Sequence, residues 1–103
     1  MLSQQEIEEI RNKIVHEVNP QKIYIFGSYA RADAGEESDI DLVVIMDSSL
    51  NPHQRNLKIK KLFPRRRFSL DAFVYTPEEA MKYKEIPGTI LHNAVYQGKL
   101  IYG

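Results

Sequence analysis

Apolar and polar positions along the chain follow a helical period in some segments and form strand-like apolar runs in others. Ser3 opens a sequence that matches the S-x-x-E capping box, and the apolar residues after it recur at helical spacing up to Val18. Asn19-Pro20 then ends this predicted helix. Three short, apolar, β-rich runs predict strands, and the second is apolar on both faces, which predicts a central strand. These strands are predicted at residues 23–26, 40–46 and 68–75.

Helix starts in the second half of the chain are marked by a capping residue followed by proline. One start predicts a helix over 52–63 and another predicts a helix over 77–85, while 89–97 forms a last predicted helix. Residues 99–102 can add a short edge strand. The order α-β-α-β-α-β-α-α, with or without a final strand, predicts an α/β (α+β) protein with a small sheet that carries helices on at least one face.

Length and composition narrow the class of protein. With 103 residues the chain has the size of one ordinary domain, so we expect residues 1–103 to form a single domain without a separate substrate-recognition domain. The chain contains no Cys, which excludes disulfides and thiolate metal sites. Its N-terminus does not resemble a signal peptide, and no apolar run approaches the roughly 18 residues of a membrane span. We therefore expect a cytoplasmic protein that does not use a membrane.

Charge is distributed unevenly, although the net charge is zero. Residues 1–50 contain 4 Lys and Arg against 10 Asp and Glu, whereas residues 51–103 contain 10 against 4. In one interpretation the two halves pack together and neutralise each other. In the other, an acidic metal-binding centre is bordered by basic residues that meet an anion.

Two carboxylates lie where the second predicted strand begins. Residues two apart in a strand share a face, so Asp39 and Asp41 are predicted to project side by side, roughly 6.6 Å apart along the chain at ~3.3 Å per residue. Like charges repel unless a cation neutralises them, and no Lys or Arg occurs between positions 32 and 54. The pair therefore favours Mg²⁺, and two ions about 3.5–4 Å apart can share such a pair during phosphoryl transfer. The simpler alternative is a pair of solvated surface carboxylates.

Gly27-Ser28 lies where the first strand gives way to a short predicted helix over about 29–33. Free N–H groups and the helix dipole at a helix N-terminus favour a bound phosphate. Gly27 lets the backbone approach a ligand closely, and the Ser28 hydroxyl can donate a hydrogen bond to it. A Gly-Ser turn between a strand and a helix is common. The combination with the carboxylate pair on the next strand is what indicates a phosphate-binding site.

A third carboxylate, Asp71, lies inside the apolar segment 68–75, where an unpaired charge is costly. If this strand neighbours 40–46 in the sheet, Asp71 completes a triad with Asp39 and Asp41. The triad could bind a metal ion, and Asp71 could accept the proton of an attacking hydroxyl. The alternative places Asp71 on the exposed face of an edge strand or in an ion pair with a nearby Arg.

One continuous string joins these features, because Gly27-Ser28, ten intervening residues, Asp39 and Asp41 all lie in FGSYARADAGEESDIDLVV. This string resembles the signature of the minimal nucleotidyltransferases of the DNA polymerase beta superfamily, and Asp71 matches that superfamily's third carboxylate. The resemblance implies the polymerase beta-like nucleotidyltransferase fold, a small mixed sheet with flanking helices. It also implies Mg²⁺-dependent transfer of a nucleoside monophosphate from an NTP, with ATP favoured, to a hydroxyl, with release of pyrophosphate.

The same resemblance implies a role for each matching residue. Gly27 and Ser28 would hold the triphosphate. Asp39 and Asp41 would bind both of two Mg²⁺ ions. Asp71 would bind the catalytic ion and would act as, or assist, the general base.

Basic and neighbouring positions have two interpretations each. Arg31 matches the motif arginine and either contacts a terminal phosphate or forms a salt bridge with a nearby Glu. Ala32 replaces a glycine that is common in the family, which puts in doubt any backbone approach to the phosphates at that position. Arg65, Arg66 and Arg67 either meet a phosphate, RNA or an acidic partner, or form a solvated loop.

Small stand-alone members of the family are often antitoxins encoded beside a HEPN-domain toxin, and some transfer AMP to a tyrosine of that toxin. The resemblance therefore implies an antitoxin of this kind, with a HEPN-type toxin encoded nearby as its partner. The alternative is an antitoxin that neutralises its toxin by binding, with little catalysis. Transfer to a small molecule or an RNA end is disfavoured because a second domain is missing. No RNA-binding aromatic motif is present, so we do not expect direct nucleic-acid binding.

Overall fold

A computed structural model describes residues 2–30, 39–65 and 68–103 of the chain. These residues form four α-helices, four β-strands and a 3₁₀ turn at Gly27–Tyr29. No helix within this part of the chain is long and apolar enough to cross a lipid bilayer. The elements are, in order, α1 (Gln4–Val18), β1 (Lys22–Phe26), β2 (Ile40–Ile45), α2 (Pro52–Lys60), β3 (Leu70–Tyr75), α3 (Pro77–Tyr83), α4 (Ile90–Gln97) and β4 (Lys99–Tyr102).

The four strands form one mixed sheet in the order β3-β2-β1-β4. Strands β2 and β3 are parallel, whereas β1 is antiparallel to both β2 and β4. The central position predicted for the second strand is therefore confirmed, and so is the edge strand predicted at 99–102. The observed sheet and its helices agree with the expected α/β (α+β) fold.

Helices cover both faces of the sheet. On one face, Ile14 of α1 and Ile59 of α2 are fully buried against alternate residues of the strands. On the other face, Leu91 and Ala94 of α4 are fully buried together with Ala80 of α3. Successive side chains of β2 point into the two clusters in turn, which is why this strand reads as continuously apolar.

Capping residues set the starts of the helices as the sequence predicts. Ser3, Asn51 and Thr76 each accept a hydrogen bond from the third residue of their helix, and each forms a complete capping box. Asn19 ends α1 in the left-handed conformation, with φ of 47°. Thr89 caps α4 in the same way as the other N-caps, although without the reciprocal bond.

Several element boundaries differ from the predictions. Helix α2 ends at Lys60, three residues early, because the Leu62 and Phe63 N–H groups bond three residues back and tighten the chain into a turn. The third strand begins at Leu70 rather than at residue 68. The short helix predicted over about 29–33 begins earlier, as the 3₁₀ turn at Gly27–Tyr29, and its remainder falls on residues 31–38, outside the described part.

Helix α2 is bonded to the edge strand β3 as well as packed on the sheet. The Asn56 side chain accepts a hydrogen bond of 2.8 Å from the Val74 N–H group. Arg55, which is buried, donates from Nε to the Leu50 carbonyl and from Nη1 to Glu79 Oε1, both at 2.7 Å. These contacts tie α2 to both β3 and α3.

The Arg55 guanidinium lowers the pKa of Glu79 below its ordinary value of 4.5 by donating a hydrogen bond to the carboxylate, and the Thr76 cap adds to this. A carboxylate with a lowered folded-state pKa stabilises the fold above its unfolded-state pKa. That stabilisation is lost as the pH falls through the lower, folded-state pKa. The pair should therefore contribute at neutral pH and cease to contribute in acid.

We expect Glu79→Gln to lower the free energy of unfolding at neutral pH by about 1 kcal/mol, because a neutral acceptor binds the guanidinium less strongly than a carboxylate does. The deficit relative to the unmodified protein should shrink as the pH falls below 4.5. Urea denaturation over a pH series measures both effects. Glu78→Gln is the matched control, since Glu78 is exposed and lies in the same helical turn; equal losses for the two variants would contradict the assignment.

Candidate active site

The predicted site residues lie at one end of the sheet because of its topology. Parallel strands β2 and β3 begin at this end, and antiparallel β1 finishes there. Asp41 and Asp71 are direct register partners on adjacent strands, which are about 4.8 Å apart. Phe26, the residue before Gly27, is the register partner of Asp41 on the opposite side. The condition on which the sequence analysis placed Asp71 beside Asp41, that the second and third strands are neighbours, is thus met.

Asp41 and Asp71 project from the same face of the sheet. Asp41 is two residues before Val43 on β2, and Asp71 is two residues before Phe73 on β3, so each aspartate shares a face with that residue. Val43 and Phe73 both belong to the cluster beneath α3 and α4, so the two carboxylates lie on that face as well. Each aspartate is half-buried. Strand β3 is an edge strand, as the alternative interpretation of Asp71 supposed, but its register places this residue beside Asp41.

Asp39 lies just outside β2 rather than within it, because the strand starts at Ile40. This start agrees with the strand predicted at 40–46, and the expected projection of Asp39 beside Asp41 stays a prediction. Its backbone leaves the ladder at the point where the Ile40 N–H group bonds to the Ser69 carbonyl. Asp39 is exposed, and it lines the same cavity of about 520 Å³ as Asp71.

Gly27 occupies a position that disfavours any residue with a Cβ atom. Its φ is +73°, in the left-handed region, and a Cβ atom built there would lie 2.6 Å from Oδ2 of Asp41. The backbone at the end of β1 therefore lies directly against the Asp41 carboxylate. Gly27 of the strand–helix turn and Asp41 of the carboxylate pair, which the sequence analysis considered separately, are therefore neighbours in the fold.

Ser28 and Tyr29 follow in the 3₁₀ turn and are half-buried. The Tyr29 hydroxyl accepts a hydrogen bond of 2.9 Å from the Leu2 N–H group, and its ring packs on the core. Tyr29 thus packs within the protein. Ser28 directly follows Gly27 in this turn and is therefore close to the Gly27–Asp41 contact.

The basic residues that the sequence singled out are only partly described. Arg31 and Ala32 lie outside the described residues, as do Arg66 and Arg67. Arg65 is exposed. The interpretations of these positions stay predictions.

One basic residue was missed by the sequence analysis. Lys60, the last residue of α2, lines the same cavity as Asp39 and Asp71. Its half-buried side chain places a positive charge at the β3 side of the carboxylates. The signal available in the sequence was weak, because Lys60 is one of several lysines in a helix with little apolar patterning.

The donors at this end of the sheet are carboxylate oxygens, the ligands that hard divalent cations prefer. Across residues 2–30, 39–65 and 68–103, no three His, Cys, Asp or Glu side chains lie close enough together to hold a metal ion. What the fold provides is the backbone arrangement: two aspartates in register, a third at the rim, and a glycine turn against one of them. Such an arrangement is suited to binding a phosphate group through a cation beside a hydroxyl acceptor.

Comparisons with known proteins extend this picture. Residues 8–103 match the family model described as Polymerase beta, Nucleotidyltransferase. A predicted protein adenylyltransferase of Methanocaldococcus jannaschii is 30% identical over 82 residues, which cover 80% of this chain and 78% of the relative. The family match over residues 8–103 spans the glycine turn and all three aspartates.

Two solved structures share the fold. A predicted nucleotidyltransferase from Sulfolobus solfataricus superposes with a TM-score of 0.58 at 25% identity, covering 76% of this chain and 70% of that one. A toxin–antitoxin crystallised with AMP-PNP superposes with a TM-score of 0.62 at 23% identity, covering 99% of this chain and 74% of that one. These likenesses confirm the fold that the sequence resemblance implied.

Proposed function

Because the chain belongs to the Polymerase beta, Nucleotidyltransferase family, we propose that it moves AMP from ATP to a hydroxyl group on a partner protein. The observation that carries the proposal is the placement of Gly27, Asp41 and Asp71 at one end of the sheet. In the proposed reaction the acceptor oxygen attacks the α phosphorus of ATP. The bond from that phosphorus to the bridging oxygen breaks, pyrophosphate leaves, and the hydroxyl proton passes to a carboxylate.

The three aspartates fit Mg²⁺ by their chemistry, since all their donors are oxygen atoms. Asp41 and Asp71 lie in register, and Asp39 shares a cavity with Asp71. Like-charged carboxylates repel, so we expect the three side chains to converge when the cation binds rather than before. Two Mg²⁺ ions held by these residues would neutralise the charge of the triphosphate and of the departing pyrophosphate.

The chain's own residues have distinct parts in this proposal. The backbone at Gly27 and the Ser28 hydroxyl hold the triphosphate, next to Asp41 and therefore next to the metal ligands. Asp71 lies on the far side of Asp41 and accepts the proton of the acceptor hydroxyl as general base. We expect Arg31, which lies outside the described residues, to contact a phosphate of the nucleotide. These placements put the nucleotide on the β1 side of the site and the acceptor on the β3 side.

We further propose that the acceptor is a tyrosine of a HEPN-type toxin encoded nearby, so that the protein acts as an antitoxin. The M. jannaschii relative carries the name of a protein adenylyltransferase, and one structure with this fold is a toxin–antitoxin with AMP-PNP. A cavity that opens at the edge of the sheet, beside Asp71, leaves room for a segment of a second protein. The acceptor then comes to the site on its own chain.

A transfer experiment tests the proposal directly. The protein and the toxin encoded beside it are incubated with Mg²⁺ and ATP that is labelled at either the α or the γ phosphorus. We expect the α label to appear on a tyrosine of the toxin and the γ label to leave with pyrophosphate. Transfer of the γ label would indicate a kinase, and transfer of neither label would contradict the proposed activity.

Neutralisation by binding alone is separated from catalysis by variants that lack a carboxylate. We expect a chain with Asp39→Asn and Asp41→Asn to lose suppression of the toxin's growth arrest while its complex with the toxin still forms. Co-purification measures complex formation, and growth after toxin induction measures suppression. Full suppression by this variant would favour the binding-only antitoxin.

A further inference from the structure

A polar groove borders the site on its β3 side, opposite the β1 side where we propose that the nucleotide binds. This groove is the cavity of about 520 Å³ whose lining includes Asp39, Lys60, Phe68, Ser69 and Asp71. Its lining comes from the end of α2, from the segment that leads into β3 and from the first residues of β3. Among the described residues that line it, Lys60 is the one with a cationic side chain.

The position of Lys60 is fixed by the packing of α2. The preceding residue, Ile59, is completely buried, and Asn56 is bonded to the backbone of β3 at Val74. Lys60 is half-buried, so its carbon chain lies on the protein while its ammonium group can reach the groove. The C-terminal end of a helix also favours a positive charge. The lysine is therefore held beside the groove rather than free in solvent.

The topology separates this groove from the triphosphate side of the site. Gly27 follows β1, whereas Asp71 belongs to β3, and β2 with Asp41 lies between them. Two strand spacings place the two sides about 10 Å apart. A molecule in the groove approaches Asp71 from the outer side of the sheet. That is the direction from which an acceptor hydroxyl must come if Asp71 accepts its proton.

We propose that this groove receives the acceptor segment and that Lys60 selects a segment with a carboxylate beside the acceptor hydroxyl. The inference rests on the proposed function, because it names the chemistry of that function's acceptor. The carboxylate pairs with the Lys60 ammonium group in this groove, whose lining is mainly polar. Lys60 is thus a specificity-determining residue for the acceptor.

Direct binding of short peptides tests the inference. Two labelled probes are used, Glu-Glu-Tyr-Glu-Glu and Gln-Gln-Tyr-Gln-Gln, with Mg²⁺ and α,β-methylene-ATP, whose α–β bridge does not allow transfer. We expect the acidic peptide to bind about two- to fivefold more tightly than the neutral one, as for a single favourable charge pair. Fluorescence anisotropy measures both affinities.

Variants on one helix assign the preference to Lys60. Lys60→Met should abolish the preference for the acidic peptide, Lys60→Arg should keep it, and Lys60→Glu should reverse it in favour of a Lys-Lys-Tyr-Lys-Lys probe. Lys58→Met is the matched control, because Lys58 is exposed on α2 and lines a cavity at the opposite end of the sheet. It should behave like the unmodified protein.

Each other result overturns the inference. Equal or absent binding of the two peptides, or a preference that survives Lys60→Met, would remove Lys60 from acceptor selection. Weaker binding of α,β-methylene-ATP itself in Lys60→Met would assign the lysine to a nucleotide phosphate instead. If the unmodified protein binds no α,β-methylene-ATP with Mg²⁺, the proposed function fails. Intact nucleotide binding without a peptide preference would contradict the inference about Lys60 and leave the proposed function standing.

Discussion

We expect Asp71→Asn to lower AMP transfer by about 10³-fold, the largest loss among the single substitutions considered for this protein. Asn keeps the shape of the side chain but removes the negative charge and the basic oxygen. The variant therefore loses both a metal ligand and the proposed proton acceptor. Initial rates of label transfer from α-labelled ATP measure this loss.

The fold should survive Asp71→Asn. Asp71 lies at the start of the edge strand β3 and is half-buried, and Asn has nearly the same volume and leaves the backbone pairing with β2 in place. We expect an unchanged Tm without Mg²⁺, and a smaller rise in Tm when Mg²⁺ and α,β-methylene-ATP are added.

Asp47→Asn is the matched control for this prediction. Asp47 follows the other end of β2, is exposed, and lines the cavity of about 720 Å³ at the opposite end of the sheet. It should leave transfer unchanged. A rate for Asp71→Asn within a few-fold of the control would remove Asp71 from the chemistry.

Much of this site could be predicted because its signals are local. Capping residues fix helix starts through bonds that span three residues, so Ser3, Asn51 and Thr76 could be recognised from their neighbours alone. The glycine turn and the D-x-D pair belong to one short string, and a charge inside an apolar strand marked Asp71. The adjacency of the second and third strands was only a condition in the sequence, and the parallel register supplied it.

The parts that could not be predicted depend on pairings distant in the chain. Arg55 and Glu79 are 24 residues apart, and nothing local in either helix indicates that one side chain is buried against the other. The position of Lys60 in the cavity beside Asp71 could not be predicted either, because it depends on where α2 ends relative to β3. The start of β2 at Ile40 was predicted, whereas the hydrogen bond from the Ile40 N–H group to the Ser69 carbonyl depends on a distant segment and was not. Contacts of this kind follow from tertiary packing, which overrides local pattern.

Gly27→Ala is the second substitution for which we expect a large effect, a loss of transfer of about 10²-fold. Its φ of +73° strains any side chain, and the new Cβ would lie 2.6 Å from Oδ2 of Asp41, closer than such atoms approach. The aspartate carboxylate is the end of a short, rotatable side chain, so it should move and let the fold persist. A displaced Asp41 would no longer hold its ligand position beside the phosphate-binding turn.

Gly88 offers a control that isolates the contact from the backbone strain. Its φ of +90° is also in the left-handed region, but nothing lies within 4 Å of a Cβ built there. Gly27→Ala and Gly88→Ala should therefore lose similar stability, about 1–2 kcal/mol each, by thermal or urea unfolding. Because only the first disturbs Asp41, only the first should lose transfer and Mg²⁺-dependent binding of α,β-methylene-ATP. Equal activity of the two variants would mean that the close contact between Gly27 and Asp41 has no part in catalysis.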